Sequence, residues 1–336
     1  MAMRTRLKKA NHPSIRTLGA AATLLGLLAL PGLAQAQAFP NRPIKMICPF
    51  TAGGSIDKLA RLVSRKMEES LNQPVLVENR GGAGGVIGTK AMIDSKPDGY
   101  TIAILSPGST SIPAALDPKL PYNIEKDMTY IVALASYVGA ALVAQDFPPR
   151  TVKELVDYVK KNPGKVTFGS AGVGSSVHMM GELFAHAAGV KMTHIPFKGG
   201  GNGITDLLGG HVSIVMSSLA AAGPLISSGK LRALVAFDNQ RYPTFPQVPA
   251  VTEDLPHFDP PVIWYGLAGP AGLPQPITEL LNREAQKAMA TPELKKEIVA
   301  GAYKVIGGSP RDYQELMRRD TKSMGDIVKA AGIKLE

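Results

Sequence analysis

Short apolar runs alternate with amphipathic segments along most of the chain. The run 44–50 (IKMICPF) is rich in β-formers, and the following segment 55–71 carries Ile56, Leu59, Ala60, Val63, Met67 and Leu71 at helical spacing. The same reading predicts strands at 74–79, 100–105, 166–170, 191–197, 211–217 and 231–237, each leading into or out of a helical pattern. Alternation of this kind implies an α/β fold with largely parallel sheets, in which ligands sit at the carboxyl ends of strands. Two longer apolar stretches, 130–144 and 260–270, are rich in β-branched, aromatic and small residues and read as strands. If both cross between two lobes, residues 139–260 form one lobe, and residues 39–138 with 261–336 form the other. A single larger sheet satisfies the same periodicity. Beyond Pro270 the pattern is mainly helical, over 276–290, 292–301 and 309–332, the last with Ser309 as N-cap and Pro310 at its first position.

The first 38 residues do not fit this alternation. They hold Arg4, Arg6, Lys8, Lys9 and Arg16 without an acid, then an apolar core from about Leu18 to Leu30, then AQAQA. That order is the signature of a secretory signal peptide, residues 1–36, with a cut after Ala38 as the alternative. The core is broken by Gly26, Pro31 and Gly32 and is too short for a membrane anchor. The five leader bases carry half of the formal net charge of +10, so the exported remainder is only mildly basic. Its ordinary share of hydrophobic residues, 45% over the whole chain, and its length suffice for two packed lobes. Cys48 is the one cysteine, so an exported chain of this sort rests on its core rather than on an internal disulfide. It lies too far from the leader to carry a lipid anchor, and the mature protein is expected in the periplasm, not inserted in the membrane.

Candidate chemistry concentrates in glycine turns. PFTAGGSID (49–57) ends a strand, passes Gly53 and Gly54 and enters a helix, with Asp57 in its first turn. It has neither the P-loop nor the G-x-G-x-x-G register, and RGGAGGVIG (80–88) fails the latter too. What remains is a helix start whose unpaired N–H groups can receive a carboxylate, or a plain turn with Asp57 as its stabiliser. A similar turn, FGSAGVGSSVH (168–178), enters a helix capped by Ser175 or Ser176. Two such turns facing each other would offer N–H groups and hydroxyls from both sides of a cleft. Lys198 precedes three glycines and is a candidate anion partner at the cleft mouth, or a solvated lysine. Ser175, Ser176 and His178 are close in sequence but lack the G-x-S-x-G elbow of a hydrolase. His178, Glu182 and His186 share a helical face without H-E-x-x-H, which favours a cap histidine and two surface residues over a metal site. The aromatics are not interleaved with bases as a nucleic-acid platform requires.

The ordered segments FPNRPIKMICPFTAGGSIDKLARLVSRKMEESL, PVLVENRGGAGGVIGTKA, LPYNIEKDMTYI, VTFGSAGVGSSVH, PFKGGGNGITDLLGGHVSIVMSS and GLAGPAGLP together resemble the Bug-type extracytoplasmic receptors of tripartite tricarboxylate transporters. The resemblance covers nearly the whole chain after the leader. It implies a two-lobed periplasmic binding protein, type II-like, with a hinge and a central ligand cleft. It further implies a non-enzymatic, cofactor-free receptor, expected as a monomer, that captures a small organic carboxylate for membrane transporter subunits. Carried over, the first lobe's ligand contacts fall on Phe50, Thr51, Ala52, Gly53, Gly54 and Asp57. Those of the second fall on Ala171, Gly172, Ser175, Ser176 and His178, with Phe197, Lys198 and Gly199 nearby. Ser217 stands where many relatives carry an acidic or amide side chain, and Met216 where an aromatic is common, which bears on how the far end of the ligand is read. A secreted Ser/His hydrolase and a periplasmic sensor for a membrane kinase are the rival expectations.

Overall fold

The computed structural model describes residues 39–331, so the leader lies outside the described residues. Two sheets organise the chain from Pro40 onward. The first contains β1 (Ile44–Cys48), β2 (Val75–Asn79), β3 (Thr101–Leu105), β4 (Met128–Tyr137), β10 (Ile263–Pro270) and β11 (Tyr303–Gly307), in the order β11-β4-β10-β3-β1-β2. The second contains β5 (Gly139–Ala144), β6 (Thr167–Ser170), β7 (Thr193–Pro196), β8 (Ile214–Ser218) and β9 (Leu231–Phe237), in the order β7-β6-β8-β5-β9.

The expectation of largely parallel sheets needs correction, because both sheets are mixed. β1 pairs in parallel with β2 and β3, and β6 with β7 and β8. β10 runs antiparallel to β3 and β4, and β5 runs antiparallel to β8 and β9. The antiparallel members come from the two long apolar stretches. The first stretch is two strands: β4 ends in the first sheet at Tyr137, and after Val138 the chain continues as β5 in the second.

The helices follow the hydrophobic spacing. Helix α1 (Ser55–Leu71) buries Ile56, Leu59, Ala60, Val63 and Met67, the positions its sequence marks. Helices α5 (Ser176–Ala187), α6 (Gly200–Leu208) and α7 (Leu219–Ser227) follow β6, β7 and β8 respectively. The final helix begins at Pro310, and its cap is reciprocal: Asp312 N–H donates to Ser309 Oγ at 3.2 Å and Ser309 N–H to Asp312 Oδ2 at 2.7 Å. The first sheet's core gathers Ile47, Leu105, Trp264 and Tyr313, and the second's gathers Leu142, Val215, Leu231 and Phe245. Among the described residues, no helix is long and apolar enough to cross a membrane.

Candidate ligand site

The site is built where strands stop. β1, β6, β7 and β8 each lead into a helix, and the starts of these four helices meet on one cavity of about 50 Å³. Gly54 is the N-cap of α1, and Ser55 its first residue. Ser175 is the N-cap of α5, and Ser176 its first residue. Gly200 begins α6, and Ser218 caps α7. All six residues line the cavity. One helix comes from the first sheet and three from the second. Each carries partial positive charge at this end, where the first N–H groups lack partners within the helix, so four positive ends from two sheets face one small space.

The serines are held with their oxygens engaged. Ser175 Oγ accepts from His178 N–H at 3.2 Å, Ser218 Oγ from Ala221 N–H at 3.1 Å and Ser176 Oγ from Gly108 N–H at 2.9 Å. In each case the hydroxyl proton stays available to donate. On the other wall, Tyr137 and Tyr265 stack with ring centroids 4.9 Å apart. Tyr265 OH and Ser55 Oγ are 2.6 Å apart, and Tyr303 OH donates to Ser55 O at 2.8 Å. Burial raises the phenols of Tyr137 and Tyr265 above their ordinary range, so both stay protonated.

The predicted residues divide into those at the cavity and those behind it. Phe50, Gly54, Ala171, Ser175, Ser176 and Ser217 line it. Gly172, Phe197 and Lys198 border a separate groove of about 270 Å³, shared with Ala171 and the loop 82–84. Thr51 and Ala52 meet α6: Thr51 Oγ1 lies 3.4 Å from Asn202 Oδ1, and Gly199 packs on the Thr51 side chain. Gly53 has φ +89°, a conformation that glycine adopts freely, and its N–H donates to Asp57 Oδ2 at 3.0 Å.

Asp57 does not line the cavity. Its carboxylate also accepts from Asn79 Nδ2 at 2.8 Å and from Arg61 at 3.0 and 3.2 Å, and Asn79 donates further to Phe50 O at 3.0 Å. It therefore braces the loop 50–53 from behind. Burial pushes its carboxyl up, but the hydrogen bonds from Gly53, Arg61 and Asn79 outweigh that and hold it below its ordinary value.

His178 is likewise turned away. Its Nδ1 accepts from Gly174 N–H at 3.1 Å, its Nε2 is 3.6 Å from Glu182 Oε1, and its ring stacks on His194 with centroids 3.9 Å apart. Neither Ser175 nor Ser176 is hydrogen-bonded to a histidine ring nitrogen, so the Ser/His178 pair that the hydrolase reading names is not assembled. His186 is exposed one turn beyond Glu182, and the three do not gather around a point.

Several lining residues escape the sequence reading: Ser106, Tyr137, Gly200, Ser218 and Tyr265. The G-G-G run after Lys198 is the signal that could have found Gly200, and serine at the end of β8 the one for Ser218. Tyr137 and Tyr265 sit in apolar runs that read as core.

Comparison with known proteins identifies the family and the fold. Residues 59–333 match the family described as "Tripartite tricarboxylate transporter family receptor". Protein BugT of Bordetella pertussis is 32% identical, over 92% of this chain and 96% of that one. The periplasmic binding protein BugD superposes with a TM-score of 0.85 at 31% identity, covering 88% of this chain and 99% of BugD. MatC of Rhodopseudomonas palustris, solved with bound malate, superposes at 0.83 and 30% identity, covering 86% and 100%. These relatives are solute-binding receptors rather than enzymes, and their two-lobed architecture is the one the two sheets build here. The chain belongs to the tripartite tricarboxylate transporter receptor family.

Proposed function

We propose that the protein is a periplasmic receptor that closes around a small organic carboxylate and delivers it to the membrane subunits of a tripartite tricarboxylate-type transporter. Its lobes are residues 39–138 with 261–336, and residues 139–260, joined where β4 runs into β5. The observation that carries this reading is the meeting of four helix N-termini, with donor-ready serine hydroxyls, on one cavity. The malate held by the relative MatC is a ligand of that class. A ligand that touches both sheets stabilises the closed arrangement by its greater affinity for it.

Thermal unfolding at neutral pH tests the reading. A carboxylate at about 100 times its Kd adds about 2.7 kcal/mol to stability and raises the melting temperature by several degrees. A panel of acetate, lactate, succinate, malate, adipate and 3-phenylpropionate is expected to contain at least one such acid. No shift with any of them, alongside a shift with a sugar or an amine, would overturn the reading. Delivery is checked by substrate uptake into cells that carry the transporter with and without this protein.

A further inference from the structure

An ammonium group and a hydroxyl make opposite demands on a binding site. An ammonium offers three donors and no acceptor, whereas a hydroxyl accepts as well as donates. The described residues lining the cavity include no aspartate or glutamate. The acid nearest the first loop, Asp57, is committed to Gly53, Asn79 and Arg61 behind that loop. Three of the serine hydroxyls that line the cavity already accept from backbone N–H groups: Ser175 from His178, Ser176 from Gly108 and Ser218 from Ala221. Each therefore presents a proton. Four positive helix ends add an electrostatic penalty for any cation placed among them.

From this surplus of donors we infer that the site takes organic acids whose remaining groups are hydroxyl, keto or apolar, and rejects their amino counterparts. The inference rests on the carboxylate reading above and narrows it to ammonium-free acids. An α-amino acid entering this cavity keeps its carboxylate contacts but buries its ammonium without a counter-charge, a loss of the kind that discriminates strongly. Ser217, on β8, is one of the side chains at the cavity wall. A carboxylate there would supply the acceptor an ammonium needs.

Isothermal titration of the full mature chain at pH 7.5 tests this by matched pairs. Each acid of the panel that binds is compared with its 2-amino derivative: acetate with glycine, lactate with alanine, succinate and malate with aspartate, adipate with 2-aminoadipate, 3-phenylpropionate with phenylalanine. The amino member is expected to bind at least about 100-fold more weakly than its partner. An amino member that binds within about threefold of its acid, or more tightly, overturns the inference while the carboxylate reading stands. If no acid and no amino acid binds while a neutral solute does, the carboxylate reading fails and takes this inference with it.

Discussion

Asp57 is an acidic side chain beside the proposed anion site that does not face the cavity. By accepting from Gly53 N–H and from Asn79, which in turn donates to Phe50 O, it sets the backbone of the first loop. Asp57→Asn removes an ionised acceptor from a side chain only 5% exposed and leaves Arg61 without its counter-charge. A destabilisation of about 1–3 kcal/mol is expected by urea unfolding, with weaker binding of the panel acid by titration. Because its folded pKa lies below the ordinary 3.8, Asp57 contributes stability above that value, and the contribution is lost as pH falls through the depressed pKa. His194 works in the same direction at higher pH, because its folded pKa is also depressed. Burial, and next the neighbouring His178, lower its pKa from 6.5 to about 4, against the smaller pull of Glu182. Ser170 holds its Nε2 at 2.7 Å, and Phe168 packs on the ring with centroids 4.9 Å apart. The unfolded chain then binds a proton at pH 6.5 that the folded one refuses until about 4, so stability falls with pH across that window. His194→Gln is expected to flatten the melting-temperature profile between pH 6.5 and 4, and an unchanged slope would contradict this. Neither role is legible along the chain: Asn79 lies at the end of β2 while Asp57 lies in helix α1, and His178 meets its stacking partner only once β6 and β7 pair.

At the scale of elements, the recurring unit is a strand, a turn of small residues and a helix, and the site is where four of them converge. The turns at 49–57 and 168–178 are plain in the sequence because glycines and serines interrupt clear periodicity. The turn at Ser217–Ser218 is muted, since α7 is short, apolar and carries Pro224 within it. β11 is missed because it is an exposed edge strand, with Val305 and Ile306 51% and 41% accessible, and lacks an inward-facing alternation. The elements also meet across the cleft with little clearance. A Cβ on Gly108, in the turn after β3, would stand 2.8 Å from Ser176 N and 3.1 Å from Ser175 Cα, both at the start of α5. Gly108→Ala therefore opposes the closed arrangement through backbone contacts, while its own φ lies outside the left-handed region. Its unliganded melting temperature should stay close to wild type, and its affinity for the panel acid should fall about tenfold as the competent population falls. Gly201→Ala is the control: its Cβ would meet Ala52 O at 3.4 Å, an ordinary contact, so affinity should hold. Equal affinity in wild type and Gly108→Ala would show that the contact does not govern closure.

Over the whole molecule, the two sheets are linked where one long apolar stretch changes sheets at Val138, and the site lies between them. The sequence pattern yields the α/β class, the strand-to-helix alternation and the positions of most strands, because each depends on local periodicity. It does not yield the mixed pairing of the sheets, which depends on how the long stretches return, nor the aromatic wall of Tyr137 and Tyr265, which local pattern cannot tell from core. The described residues lining the cavity include hydroxyl groups from both sheets and no charged side chain, so on the proposed reading recognition rests on backbone and hydroxyl groups. The most direct trial is a crystal structure of the mature protein grown with the panel acid that raises its melting temperature most. Carboxylate oxygens are expected within about 3.2 Å of N–H or hydroxyl groups at the starts of α1 and α5. A cavity left empty of that acid, or an acid bound elsewhere on the surface, would contradict the helix-terminus site.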